Sequence, residues 1–193
     1  LDHGIDLVVC AGVAGSGKTL LSLAAGIDQV RNGRNYGSVL ITKAIQAVGK
    51  DIGFLPGSKK EKVDEWVAPF YDNLEYIGQN TGNMVEQLFQ NRVIEVDALT
   101  YMRGRSLMNR FIIVDECQNL TKGEIKTIIT RVHDSSKLIL LGDFQQVDNP
   151  YLSPKNNGLT YAMSRMGNLS NVVILNLTKG ERGKLANIAV ERL

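Results

Sequence analysis

Gly12-Val13-Ala14-Gly15-Ser16-Gly17-Lys18-Thr19 decides the fold of this chain. It fits the phosphate-binding pattern G-x-x-x-x-G-K-[ST] at every fixed position. Before it, Leu7-Val8-Val9-Cys10-Ala11 reads as a buried strand. After it, Leu20, Leu21, Leu23, Ala24, Ile27 and Val30 are expected on one face of a helix. Strand, glycine loop and helix together make an anion site. Glycines let backbone N–H groups close around phosphate oxygens, and the helix N-terminus adds the positive end of its dipole. Gly12, Ala14, Gly15, Ser16, Gly17, Lys18, Thr19 and Leu20 are therefore the expected nucleotide contacts. Lys18 would reach the β- and γ-phosphates, and the Thr19 hydroxyl would ligate Mg2+.

Outward from the loop, strand-like segments recur at residues 7–11, 39–42, 93–96, 111–114, 138–141 and 172–175. Several are unbroken Val/Ile/Leu runs, the pattern of strands buried on both faces of a parallel sheet. Helical segments alternate with them at 18–32, 59–78 (interrupted at Pro69), 82–91, 122–131, 157–166 and 182–193. This alternation predicts an α/β fold of three layers around a mostly parallel sheet, a P-loop NTPase (RecA-like) architecture over residues 1–193 as one domain.

Phe111-Ile112-Ile113-Val114-Asp115-Glu116 is an apolar strand ending in two carboxylates. Ligands sit off the carboxyl ends of parallel strands, so Asp115 and Glu116 point to the same edge as the phosphate loop. Asp115 suits support of Mg2+, and Glu116 suits polarisation of an attacking water. Leu138-Ile139-Leu140-Leu141-Gly142-Asp143 is a second such strand, with Gln145-Gln146 just beyond it. A neutral amide there can sense a γ-phosphate, the role expected of Gln146, with Asp143 holding a cation or orienting it. Arg182 opens the last helical segment and is a candidate arginine finger, facing its own nucleotide or a neighbour's.

Bulk composition narrows the class. The 193 residues are 44% hydrophobic with a net charge of +2, which excludes a disordered chain and leaves room for a local basic groove. Cys10 and Cys117 are too few for a disulfide scaffold or a zinc site and read as buried, reduced thiols. His3 and His133 stand alone without ligand spacing. No run is apolar and long enough to span a bilayer, and no secretory signal is visible, so the expected compartment is the cytoplasm. The first strand begins close to residue 1, and the upstream segment that often reads the base in ATPases is expected to be missing.

The motif set resembles the PhoH family, relatives of superfamily 1 helicase motor domains. The resemblance rests on Gly12–Thr19, Gly49-Lys50-Asp51-Ile52-Gly53-Phe54-Leu55-Pro56-Gly57, Tyr101-Met102-Arg103-Gly104-Arg105-Ser106, Asp115-Glu116-Cys117-Gln118-Asn119 and Gly142-Asp143-Phe144-Gln145-Gln146. These run in the family's order over nearly the whole chain. The chain is most similar to the PhoH module that follows a PIN nuclease domain in some bacterial proteins, or to stand-alone and phage versions. It departs from the family at Lys43-Ala44, where Arg-Pro is usual, and at Cys117, where Ala is usual. The resemblance implies ATP hydrolysis coupled to RNA, with possible unwinding, and assembly into a homo-oligomeric ring. The late family arginine corresponds to Arg182.

One motor lobe needs a second wall, which again points to a partner subunit or domain. Arg103 and Arg105 flank a glycine and form a candidate loop for single-stranded RNA or for an interface, or a solvated hairpin tip. Phe54 and Tyr101 could stack on bases or anchor their loops. Two other readings stay open: a P-loop phosphotransferase, and an ATP-dependent interaction module without nucleic acid.

Overall fold

The structure, a computed structural model, describes residues 2–33, 35–44, 59–78, 83–102 and 104–180. Six strands form one sheet: β1 (Leu7–Gly12), β2 (Ser38–Lys43), β3 (Ile94–Val96), β4 (Arg110–Asp115), β5 (Lys137–Gly142) and β6 (Val172–Leu177). Their order is β3-β2-β4-β5-β1-β6, and every pairing is parallel. The central strands are buried along nearly their whole length, which is why their sequences lack polar alternation. β6 lies at the edge, and its middle residues are exposed.

Two helical layers cover the sheet. On one side lie α1 (Lys18–Arg31), α2 (Lys59–Ile77) and α3 (Met84–Gln90), which bring Leu23, Ile27, Phe70, Leu74 and Leu88 onto Val39, Ile41, Phe111 and Ile113. On the other lie α4 (Lys122–Ile129) and α5 (Gly158–Met166), whose Ile125, Ile128, Leu159 and Ala162 pack on Val9, Leu40, Ile112, Val114 and Leu140. Each such side chain contributes roughly 1.5–3 kcal/mol by leaving water. The predicted three-layer α/β fold is the observed one.

Local chemistry sets the helix starts. Thr121 and Glu124 form a reciprocal capping box at α4, and Asn157 and Thr160 form one at α5. Two expectations need correction. Pro69 lies inside α2 and does not interrupt it; its exposed position lets water satisfy the carbonyl that loses an N–H partner, and its own carbonyl accepts from Asn73 Nδ2 at 2.7 Å. The apolar face expected of α1 is buried at Leu23 and Ile27, with Val30 packed against the same core, but it is rotated away from the core at Leu21. Ser22, Leu23, Gly26 and Ile27 are buried, whereas Leu21 is 59% exposed. Gly26 explains the rotation: a Cβ there would stand 2.8 Å from Phe111 and 3.0 Å from Val39, so the backbone of α1 settles directly on β4 and β2. Leu21 instead borders an apolar groove of about 280 Å3 beside β6, shared with Val8, Cys10, Leu175 and Leu177. The last helical segment expected from the sequence lies outside the described residues.

Candidate active site

Parallel pairing brings the carboxyl ends of β1, β2, β4 and β5 to one edge. β1 runs out at Gly12, where a Cβ would sit 2.4 Å from the Leu177 carbonyl; only glycine lets β6 pair this far. Gly15 and Gly17 have φ of 75° and 82°, and Gly17 starts α1 without a side-chain cap. Left-handed turns of this kind let a loop curl its backbone around an anion, here with the Val13 N–H donating to the Leu177 carbonyl and the Ser16 N–H to the Val13 carbonyl (3.2 Å each), and α1 is long enough to add a full dipole end. Ser16 Oγ is buried with no protein partner. An orphaned hydroxyl in a cradle of amides is what a phosphate oxygen would satisfy. The Lys18 ammonium is held over the loop by the carbonyls of Gly12 (2.8 Å) and Val13 (2.9 Å). Ala14 is half-buried within the loop, and Leu20 is half-buried in the first turn of α1.

The two halves of the predicted site meet. Thr19 Oγ1 donates to Asp115 Oδ2 at 3.0 Å, joining residues 96 positions apart. The other carboxylate oxygen of Asp115 accepts from the Glu116 N–H at 2.9 Å. A hydroxyl and a carboxylate this close are hard oxygen donors of the kind Mg2+ takes along with phosphate oxygens. Glu116 itself has φ 57° and ψ 36°, a left-handed conformation unusual for a non-glycine residue. That turn throws the chain off β4 into a 3-10 turn, Cys117–Asn119, and folds the next side chains back over the strand ends.

Gln118 is the centre of this corner, and the sequence reading assigned it no role. It is fully buried. Its Nε2 donates to Glu116 Oε2 at 2.5 Å and to the Gln146 carbonyl at 3.0 Å. Its Oε1 accepts from the Asp143 N–H at 3.1 Å. One amide thus ties the carboxylate at the end of β4 to the corner after β5. Asn119 continues the connection: its Oδ1 accepts from the N–H groups of Asp148 (2.8 Å) and Asn149 (3.2 Å). Lys43 is the second addition. It pairs with Asp115 across β2 and β4, and its ammonium lies 3.9 Å from Glu116 Oε1. The visible signals were a polar pair just past two carboxylates and a basic residue ending a buried strand.

Other predicted residues are less closely engaged. Gln146 is exposed and enters the network through its main chain, donating to the Asp143 carbonyl at 3.2 Å and accepting from Gln118. Asp143 is buried and caps the Gln145 N–H at 2.9 Å rather than binding the Gln146 side chain in any bond described. Arg105 pairs with Asp97 at 3.5 Å on a half-open cavity of about 160 Å3 that also holds Glu95 and Arg110. Arg182, Arg103, Phe54 and the Tyr101 side chain lie outside the described residues. Cys10 and Cys117 are both buried free thiols, as expected. Burial, with Asp115 alongside, pushes the Cys117 thiol well above its ordinary value.

The chain as a whole is similar to known proteins. The family model for PhoH-like protein matches residues 3–190. Protein PhoH2 of Bacillus subtilis (strain 168) is 46% identical over 195 residues, covering 100% of this chain and 44% of that protein. The PhoH-like protein of the same organism is 36% identical over 173 residues, covering 89% of this chain and 52% of that protein. The chain spans about half the length of the curated relatives it matches. Among solved structures, the crystal structure of Pif1 helicase from Candida albicans aligns over 97% of this chain and 39% of its own with a TM-score of 0.45 and 15% identity, too distant to bear on function.

Proposed function

The chain belongs to the PhoH-like protein family, and from that premise we propose that it binds ATP at the edge formed by β1, β4 and β5 and hydrolyses it in a cycle coupled to single-stranded RNA. The observation that carries the hydrolytic reading is the contact between Thr19 and Asp115, with Glu116 next in line and held by Gln118. A structural nucleotide site has no use for a carboxylate held in a strained backbone beside the metal donors.

The loop amides and Lys18 bind the β- and γ-phosphates, and Ser16 Oγ gains a partner there. Thr19 and Asp115 would hold Mg2+, which neutralises phosphate charge. Gln118 occupies Glu116 Oε2, which leaves Oε1, 3.9 Å from the Lys43 ammonium, as the oxygen that would take the proton of the attacking water. The water oxygen bonds to the γ-phosphorus as the bond to the bridging oxygen breaks, and ADP leaves with that electron pair. Lys43 balances the carboxylate from β2. The tie of the Gln146 carbonyl to Glu116 through Gln118 supports a role for this corner in responding to the γ-phosphate. Arg182 is the proposed finger, in a homo-oligomer whose next subunit closes the cleft. The coupling to RNA is supported by the family and by the Arg105 loop, not by the P-loop itself.

Glu116→Gln tests the hydrolytic step. ATP binding by the variant, read by nucleotide fluorescence, is expected to stay near that of the parent. Turnover is expected to fall by on the order of a hundredfold or more, the usual range for a general base. Unchanged phosphate release would remove Glu116 from the reaction. A labelled product other than free phosphate would make the protein a phosphotransferase.

A further inference from the structure

Tyr151 is 89% exposed, the highest value among the large hydrophobic side chains described. A single exposed ring is common on protein surfaces, so what distinguishes this one is how its backbone is held. It is not held loosely. The Tyr151 N–H donates to Asn149 Oδ1 at 3.0 Å, and the Leu152 N–H donates to the Asn149 carbonyl at 3.0 Å. Ser153 and Asn156 close a small bridge behind the ring, and Asn157 Nδ2 holds the carbonyls of Ser153 and Pro154. Pro150 and Pro154 stiffen the same loop by fixing φ. The ring therefore stands on a rigid turn following β5, off the sheet edge that carries the phosphate loop.

The turn is also wired to the catalytic corner. Asn149 Nδ2 donates to the Asn119 carbonyl at 3.3 Å, and its N–H donates to Asn119 Oδ1 at 3.2 Å. The Asn119 N–H in turn donates to the Glu116 carbonyl at 2.9 Å. Two residues, Asn149 and Asn119, separate the exposed ring from Glu116.

We propose that Tyr151 is a stacking platform for one unpaired base of single-stranded RNA, and that Asn149 and Asn119 carry its occupancy to Glu116. The inference rests on the reading of the protein as an RNA-coupled ATPase. A base is the occupant the surroundings fit. A protein interface buries a contiguous apolar patch. Here the neighbours along the loop are Asp148, Asn149, Pro150, Ser153, Pro154, Lys155 and Asn156, polar or proline and mostly exposed, with Leu152 the one apolar residue among them and itself half-buried. One exposed ring with no contiguous apolar patch around it suits a single stacked base, and sequence-tolerant binding of this kind needs no further apolar surface.

The test uses the full chain and a labelled oligouridylate, read by anisotropy, with turnover followed in parallel. Tyr151→Ala is expected to weaken binding roughly tenfold, in the range found for loss of one base stack. Tyr151→Phe and Tyr151→Trp should bind as the parent does. The salt dependence of binding should not change in Tyr151→Ala, because no phosphate contact is lost. An abasic oligonucleotide should bind the parent and Tyr151→Ala equally. Asn149→Ala, which removes the Nδ2 bond to the Asn119 carbonyl and leaves only the main-chain N–H bond to Asn119 Oδ1, keeps the ring and should retain most binding and lose much of the RNA stimulation of turnover. Equal affinity of Tyr151→Ala and the parent for oligouridylate would overturn the platform, and full stimulation of Asn149→Ala would overturn the relay. A lower solution mass for Tyr151→Ala would also overturn it, by assigning the ring to a protein contact. A parent protein indifferent to RNA would sink the RNA coupling itself, an outcome distinct from a parent that responds while Tyr151→Ala responds equally.

Discussion

Glu116 and Gln118 show how much one turn of chain can organise. A left-handed Glu116 is costly for a residue with a Cβ, on the order of 1–3 kcal/mol, and persists because Asp115, Asn119 and Gln118 all bond to it. Gln118→Leu would leave the Asp143 N–H and one Glu116 oxygen without partners. A loss of about 1–3 kcal/mol of stability is expected, read as a lower urea midpoint with an unchanged slope. Turnover should fall as well, since Glu116 would no longer be aimed. Gln118→Glu is the sharper variant: it has the same shape but no donor, and sets two carboxylates face to face. Its turnover should fall further and recover partly as pH is lowered and one carboxylate takes up a proton. Cys117 sits beside this corner yet should be inert. Its raised thiol pKa and full burial predict no alkylation by iodoacetamide in the native protein and rapid labelling once unfolded.

Strands and helices place those residues by close approach. Gly26→Ala would drive a methyl group into Phe111 and Val39, and overpacking of this kind typically costs about 1–3 kcal/mol, which is about 2–12 °C in melting temperature at roughly 2–4 °C per kcal/mol for a chain of this size. Gly12→Ala is worse in kind, because the obstacle is the Leu177 carbonyl rather than a side chain that can turn away. It should unpair the end of β6, shift the phosphate loop and abolish nucleotide binding. At the opposite edge, β3 is held partly by charge. Glu95 accepts from Arg110 at 2.8 Å and from Ser38 at 3.0 Å. Burial alone would raise the carboxyl of Glu95, but the hydrogen bonds from Arg110 and Ser38 and the Arg110 charge outweigh it and hold the pKa below the usual glutamate value. A carboxyl depressed in the folded state stabilises above its unfolded pKa, and the benefit is lost as pH falls through the folded value. Denaturation midpoints should therefore drop on acidification below the ordinary glutamate range, and Glu95→Gln should flatten that dependence.

For the molecule as a whole, one sheet with two helical layers would provide a single wall of the proposed ATP cleft. If Arg182 acts across subunits, solution mass should rise with ATP and fall when ATP is hydrolysed. A monomer under both conditions would rule out a finger supplied by a neighbour. Among the described residues no helix is long and apolar enough to cross a membrane. The glycine loop, the three-layer architecture and the strands that carry Asp115 and Asp143 were legible in the sequence, because loop glycines, unbroken apolar runs and turn residues are local signals. The Thr19–Asp115 contact was also foreseeable, since parallel strands bring their carboxyl ends to one edge. Three things were not legible: that Gln118 joins β4 to β5, that Lys43 reaches Glu116, and that Leu21 turns outward while Gly26 seats α1. Each depends on strand order and on the distance between layers. Those are set by packing among residues far apart in the chain, and no local pattern encodes them. The exposure of Tyr151 belongs with these, for the sequence names a tyrosine but only the folded loop decides whether its ring is covered.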